Sequence, residues 1–243
     1  MPCERGSSSS RRAIVLNPGA YSLGPEDVHL WRAHVHELAP SAGQIRSTLS
    51  PDERDRADRY RLSKDGEAFV IRRGLLRAIL SRYLDRDAGA IRFTYGPFGK
   101  PLLDPDEDAL SFSLAHSQDL ILCAVSRRAA LGIDIEFLRP LPDLDGLAAR
   151  FLVRQDADSV RALPMPRRLA AFYTRWTRQE AYLKATGAGL TAAPAAIDAA
   201  LHAAGWKLET LLAVPDYVGA LVAEGVDWGV SWLDWPLNGS ARG

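Results

Sequence analysis

Two short segments hold the side chains best suited to chemistry. In Gly132-Ile133-Asp134-Ile135-Glu136 the residue types alternate, and a strand's period of two puts both isoleucines on one face and both acids on the other. Two like charges on neighbouring same-face positions repel, and an apolar strand is costly ground for them unless a cation sits between. A half-exposed edge strand with a solvated acidic face is the other reading, and this fragment alone does not choose. About forty residues later, Phe172, Trp176, Glu180 and Lys184 are spaced by four, so on a helix they form one stripe. An exposed Glu–Lys pair would add only about 0.3–0.5 kcal/mol to such a helix. The two aromatics turn the stripe inward, which favours a cleft. Three carboxylates converging beside a lysine are what a divalent cation and a phosphate ester need.

Other polar residues give weaker signals. Lys100 sits in the turn-rich loop Phe98-Gly99-Lys100-Pro101, where glycine permits close backbone approach and Pro101 stiffens the exit. It is a phosphate contact or a solvated loop lysine. His116-Ser117 follows a strand. An adjacent histidine rarely has the geometry to serve a nucleophilic serine, and no G-x-S-x-G elbow is present. His116 therefore reads as a strand-end contact to phosphate. His34 and His36 fall on one face of an expected strand with no third ligand in view, so they read as a surface pair. His29 and His202 carry no signal. Arg54, Arg56, Arg59, Arg72, Arg73 and Arg77 read as mostly solvated, with one or two facing an anionic ligand.

The elements needed to position these residues are legible in outline. Val28 to Glu37 alternates as a strand with Val28, Leu30, Ala33 or Val35 inward. Ser50-Pro51-Asp52-Glu53 opens a helix to Tyr60 with a capping box and proline at its first position. A longer helix spans about Lys64 to Tyr83. Strands are expected at Ile91 to Tyr95, Ala109 to Ala115, Leu120 to Ser126 and Leu131 to Glu136. Helices follow at about Asp143 to Leu152 and Arg167 to Thr186, the second ended by Gly187-Ala188-Gly189. Three more strands lie near Trp206 to Val214, Tyr217 to Glu224 and Trp228 to Leu233. Each half then holds a long helix and about three strands, an α+β arrangement of two similar halves, 13–128 and 129–243, after a disordered tail at 1–12.

Length and composition exclude several classes. At 243 residues there is room for one large domain or two small ones. A formal charge of zero gives no electrostatic argument for nucleic acid or a membrane surface as the main partner, and neither is expected. No apolar run approaches the roughly 20 residues of a membrane span, and the polar N-terminus does not read as a secretory signal. Cys3, in the tail, and Cys123, in an expected buried strand, make an improbable disulfide, which suits a reducing cytoplasm.

In order, Gly99-Lys100-Pro101, Phe112-Ser113-Leu114-Ala115-His116-Ser117, Gly132 to Glu136 and Trp176 to Lys184 resemble the signature blocks of the 4′-phosphopantetheinyl transferase superfamily. The match is to its monomeric Sfp-type branch and covers about Ser50 to Leu190. The resemblance implies two α+β halves related by a pseudo-twofold axis, coenzyme A in the cleft between them, and Mg2+. It implies transfer of the phosphopantetheine arm to a serine of an apo acyl or peptidyl carrier protein, releasing 3′,5′-ADP. By position, Asp134, Glu136 and Glu180 would hold the metal. Lys100, Pro101 and His116 would contact the nucleotide, with Arg56 on the adenosine side. Lys184 would neutralise the pyrophosphate, and Glu180 is the candidate general base. Gln179, Ala115 and Ser113 depart from the lysine, serine and asparagine usual in the family. These departures leave open two rivals: a non-catalytic coenzyme A-binding protein, and a plain interaction domain whose acids are surface charges.

Overall fold

The computed structural model describes residues 21–106, 110–189, 205–212 and 214–235, with positions 195, 197 and 199. The tail expected at 1–12, Cys3, Ala109 and His202 lie outside them. In chain order the elements are β1 (Asp27–His34), α1 (Val35–Leu38), α2 (Ala42–Ser47), α3 (Pro51–Asp58), α4 (Ser63–Leu84), β2 (Phe93–Tyr95), β3 (Pro101–Leu103), β4 (Ser111–Ser117), β5 (Leu120–Ser126) and β6 (Leu131–Phe137). They continue with α5 (Leu144–Phe151), α6 (Arg154–Ala162), α7 (Met165–Thr186), β7 (Trp206–Leu211), β8 (Tyr217–Glu224) and β9 (Gly229–Asp234).

The same unit occurs twice. Strands β4, β5 and β1 are antiparallel neighbours in that order, and β7, β8 and β6 repeat the order in the C-terminal half. Each unit carries a helix of 22 residues, α4 and α7. This is the α+β fold with two pseudo-twofold halves that the sequence implies. The symmetry breaks at one edge, where β9 pairs in parallel with β1. The last described strand therefore crosses back over the 128/129 division into the N-terminal sheet.

The apolar faces of the two sheets meet. Val28, Leu30, Leu122 and Ala124 from one pack with Leu131, Ile133, Ile135 and Leu221 from the other. Helix α4 covers the outer face of the first sheet through Phe69, Leu75, Leu76 and Ile79, against Trp31, Ile121 and Cys123. Strand β1 is thus buried on both faces, which its half-polar alternation does not announce. It also stops three residues earlier than expected: Val35 N–H donates to Asp119 O, and the chain turns into α1. Expected strands at 91–95 and 206–214 shorten to β2 and β7, while β3 and α6 were not anticipated.

Helix α7 covers the outer face of the second sheet through small residues, Ala181 and Ala185 on Ala220 and Val222. The approach is closest at Gly132, where an added Cβ would lie 1.9 Å from Ala181 O and 2.4 Å from Ala185 N. Backbone thus rests on backbone, and Asp134 and Glu136, which share the face of Gly132, are turned toward α7. A Gly132→Val substitution should force α7 off β6. The expected cost is about 1–3 kcal/mol in chemical denaturation, with loss of coenzyme A binding; unchanged stability would contradict this packing.

Candidate active site

A cavity of about 520 Å³ opens where the two halves meet, lined by α3, α4, the β2–β3 loop, β4 and the C-terminal turns of α7. Its wall includes Arg56, Arg72, Lys100, His116, Glu180 and Lys184. The seam beside it is made by serines. Ser113 Oγ accepts from Ile133 N–H at 3.1 Å, and Ser117 Oγ accepts from Phe137 N–H at 3.1 Å. Side-chain hydroxyls stand in for a strand ladder between β4 and β6. Ser117 Oγ also donates to Glu136 Oε2 at 2.9 Å, which orients that carboxylate. Ala115 lies midway between these two serines along β4. The serine usual in the family would add a third hydroxyl there, so this departure bears on the seam as well as on the cavity.

The acids of β6 and α7 face one another around a lysine. Asp134 is 7% exposed, and its Oδ1 accepts from Lys184 Nζ at 2.7 Å. Burial raises its pKa despite the lysine. Burial likewise raises the pKa of Glu136, Ser117 opposing and Asp134 adding to the effect. For Glu180 burial again leads, reinforced by the charge of Asp134 and, less, of Glu136. Asp134 Oδ2 and Glu180 Oε1 are buried without a hydrogen-bond partner among the described residues. Uncompensated carboxylate oxygens of this kind are expensive. A hard, oxygen-seeking divalent cation such as Mg2+ fits this donor set.

The three carboxylates are not drawn tight. Among the described residues only His34, His36 and Asp119 have three donor atoms within 4.8 Å of one another. Ligands on opposite sides of Mg2+ lie about 4.2 Å apart, and the ion usually keeps several waters. Direct ligation by all of Asp134, Glu136 and Glu180 therefore asks for side-chain adjustment, or for a water carrying one contact.

The cationic residues divide by role. Lys100 Nζ donates to Leu131 O at 3.2 Å and to Lys184 O at 2.5 Å, tying the loop to β6 and the end of α7. Burial, with Lys184 nearby, lowers its pKa to about 8. Pro101 follows it into β3. His116 lies in the cavity wall and is open to solvent. Desolvation by the surrounding wall, with the charges of Arg72 and Lys184, lowers its pKa to about 4. Arg56 is exposed at the rim, its guanidinium 5.2 Å from the Phe69 ring centre.

Two arginines expected to be solvated are buried instead. Glu53, 2% exposed, binds Arg77 Nε at 2.7 Å and Arg73 Nε at 3.3 Å, while its Oε2 also accepts from Ser50 N–H in the capping box. Arg77 further donates to Ala88 O and Ile91 O. This cluster fixes α3 on α4 and so places Arg56 and Tyr60 at the cavity mouth. Sequence reasoning did not single out Arg72, though a signal existed: Phe69, Arg72 and Leu76 form a mixed stripe like that of Phe172 to Lys184. Phe172 and Trp176 do turn inward, Phe172 buried and Trp176 4.9 Å from Phe151. Gln179 is buried on α7.

A cleft between matched halves, with buried acids around a lysine and a cationic rim, is chemically suited to an anionic, phosphorylated ligand. Comparison with known proteins narrows the class. The sequence model of the 4′-phosphopantetheinyl transferase superfamily matches residues 130–213, and that of the 4′-phosphopantetheinyl transferase N-terminal region matches 30–128. The 4′-phosphopantetheinyl transferase HetI of Nostoc sp. is 37% identical over 222 residues, covering 87% of this chain and 93% of the relative. The 4′-phosphopantetheinyl transferase Sfp of Bacillus subtilis is 30% identical over 145 residues, covering 60% of this chain and 63% of its own length. The chain belongs to the 4′-phosphopantetheinyl transferase superfamily, in its Sfp-type branch, and is a phosphopantetheinyl transferase. No helix among the described residues is long and apolar enough to cross a membrane.

The raised carboxylate pKa of Glu180 makes a stability prediction. A group whose folded pKa lies above its unfolded value favours the protonated folded state, and that contribution is lost as pH rises through the folded pKa. At neutral pH the ionised cluster therefore destabilises the metal-free fold. Glu180→Gln should raise the melting temperature in chelator at neutral pH, and the gain should vanish as pH falls to about 4. A lower melting temperature at neutral pH would contradict the electrostatic account.

Proposed function

We propose that this enzyme transfers the 4′-phosphopantetheine arm of coenzyme A to a serine of an apo acyl or peptidyl carrier protein, with Mg2+ as cofactor. Two orphaned, buried carboxylate oxygens beside the Lys184–Asp134 pair carry this reading. Asp134, Glu136 and Glu180 would hold the ion, which when bound neutralises charge on the pyrophosphate oxygens. The 3′-phosphate of coenzyme A lies toward His116 and Arg72, with Lys100 keeping the loop in place and Arg56 and Tyr60 at the adenosine end. Lys184 turns from Asp134 to the pyrophosphate.

In the reaction the serine hydroxyl oxygen of the carrier protein attacks the β-phosphorus in line. The bond from that phosphorus to the bridging oxygen breaks, and 3′,5′-ADP leaves with the electron pair. The serine proton goes to Glu180, directly or through a water, and a carboxylate whose pKa is raised is suited to receive it. A monomer is what the resemblance to the Sfp-type branch implies. Buried, unpaired Cys123 supports a reducing cytoplasmic setting. Fatty acid, polyketide and peptide synthases all carry suitable acceptor serines.

Incubation of purified protein with apo carrier protein, coenzyme A and Mg2+ should add one phosphopantetheine mass to the carrier. Asp134→Ala and Glu180→Gln should each slow transfer by about 100-fold or more, with melts showing an intact fold; near-wild-type rates would refute the assignment. His116→Ala should act differently. It removes a contact worth about 1–3 kcal/mol if charged, so coenzyme A KM should rise tenfold or more while kcat changes little. A selective fall in kcat would place His116 at the reacting phosphorus instead.

A further inference from the structure

We propose that His34, His36 and Asp119 form a second metal site, one for a borderline transition ion of the Zn2+ class. Asp119 Oδ2 lies 3.0 Å from His34 Nδ1 and 2.5 Å from His36 Nδ1, and the three side chains offer donor atoms all within 4.8 Å of one another. The third ligand was invisible in the sequence because Asp119 is distant from the histidines along the chain. Antiparallel pairing of β1 with β5, His34 opposite Leu120, brings it alongside.

The site is held before any ion arrives. Asp119 O accepts from Val35 N–H at 2.8 Å, and Asp119 Oδ1 accepts from His36 N–H at 2.8 Å. Gln118 turns the β4–β5 hairpin with φ of 49°, a left-handed value that aims the next residue back at β1. His34 and Asp119 are partly buried and His36 is exposed, so one coordination position stays open to water.

The chemistry separates this site from the cleft. Zn2+ takes imidazole nitrogen and carboxylate oxygen at about 2.0–2.2 Å in a tetrahedron. Its ligand atoms then lie somewhat over 3 Å apart, so the observed 2.5 and 3.0 Å need only widen slightly. Each neutral imidazole would bind through Nδ1 and carry its proton on Nε2, giving up the present hydrogen bond to Asp119. Mg2+ prefers all-oxygen sites and competes poorly for two nitrogens.

The test uses Co2+ as a visible probe, added to the untagged full chain in excess Mg2+ at mildly alkaline pH, because imidazole binds a metal in its neutral form. One equivalent should bind with a d–d absorption band and be displaced by Zn2+. His36→Ala, at an exposed position, should weaken binding by more than about 100-fold, because even second-shell losses cost 10–100-fold. Its melting temperature and transferase rate should match wild type. Asp119→Asn should weaken Co2+ binding likewise. Absence of a Co2+ site in wild type would overturn the proposal. So would binding that survives both substitutions but vanishes in Asp134→Ala, which would put the ion in the cleft.

Discussion

A lysine ammonium set 2.7 Å from a carboxylate with almost no solvent access governs the architecture around it. Removing Lys184 would leave the Asp134 carboxylate, whose side chain is 9% exposed, without its cation, a larger penalty than the pair itself contributes. Lys184 satisfies one oxygen of Asp134 and leaves the other, and Glu180 Oε1, without a partner among the described residues. The cluster is therefore stable enough to fold and incomplete enough to bind. Such a cluster arises because α7 lies directly on the backbone of β6 at Gly132, which no residue with a side chain would allow.

The remaining structure holds that contact in register with the opposite half. Ser113 and Ser117 join β4 to β6 where no ladder forms, and Ser117 fixes Glu136 in the same act. On the far wall, Glu53 joins a helix cap to two buried arginines and so holds the cationic rim over the cavity. Polar groups at both places act as joints. Ser113, Ser117, Glu53 and Arg77 all find partners, while Arg73 Nη1 is buried without one among the described residues.

Local patterning in the sequence revealed what depends on periodicity. The acid-bearing face of β6, the inward stripe of α7 and the capping box of α3 were all legible, because each follows from spacing of two, four or three. Features set by long-range pairing were not. β1 read as half-exposed although β9, from the far end of the chain, lies on its flank and both its faces are covered. Arg73 and Arg77 read as solvated because their partner, Glu53, belongs to another helix. Asp119 could not be joined to His34 and His36 without knowing that β5 pairs with β1. The loop lysine stands out in the sequence by its glycine and proline neighbours, yet its bonds to two carbonyl oxygens follow from where α7 ends, which spacing cannot show.

The central claim is that the acids of β6 and α7 form one electrostatic unit with Lys184, completed jointly by a cation and a pyrophosphate. Two ligands completing one site must help each other reciprocally. Calorimetric titration of coenzyme A across a range of Mg2+ concentrations measures that coupling. The account predicts that Mg2+ tightens coenzyme A binding, that coenzyme A tightens Mg2+ binding by the same factor, and that the coupling disappears in Asp134→Asn. Coenzyme A affinity indifferent to Mg2+, or coupling that persists in the variant, would contradict it.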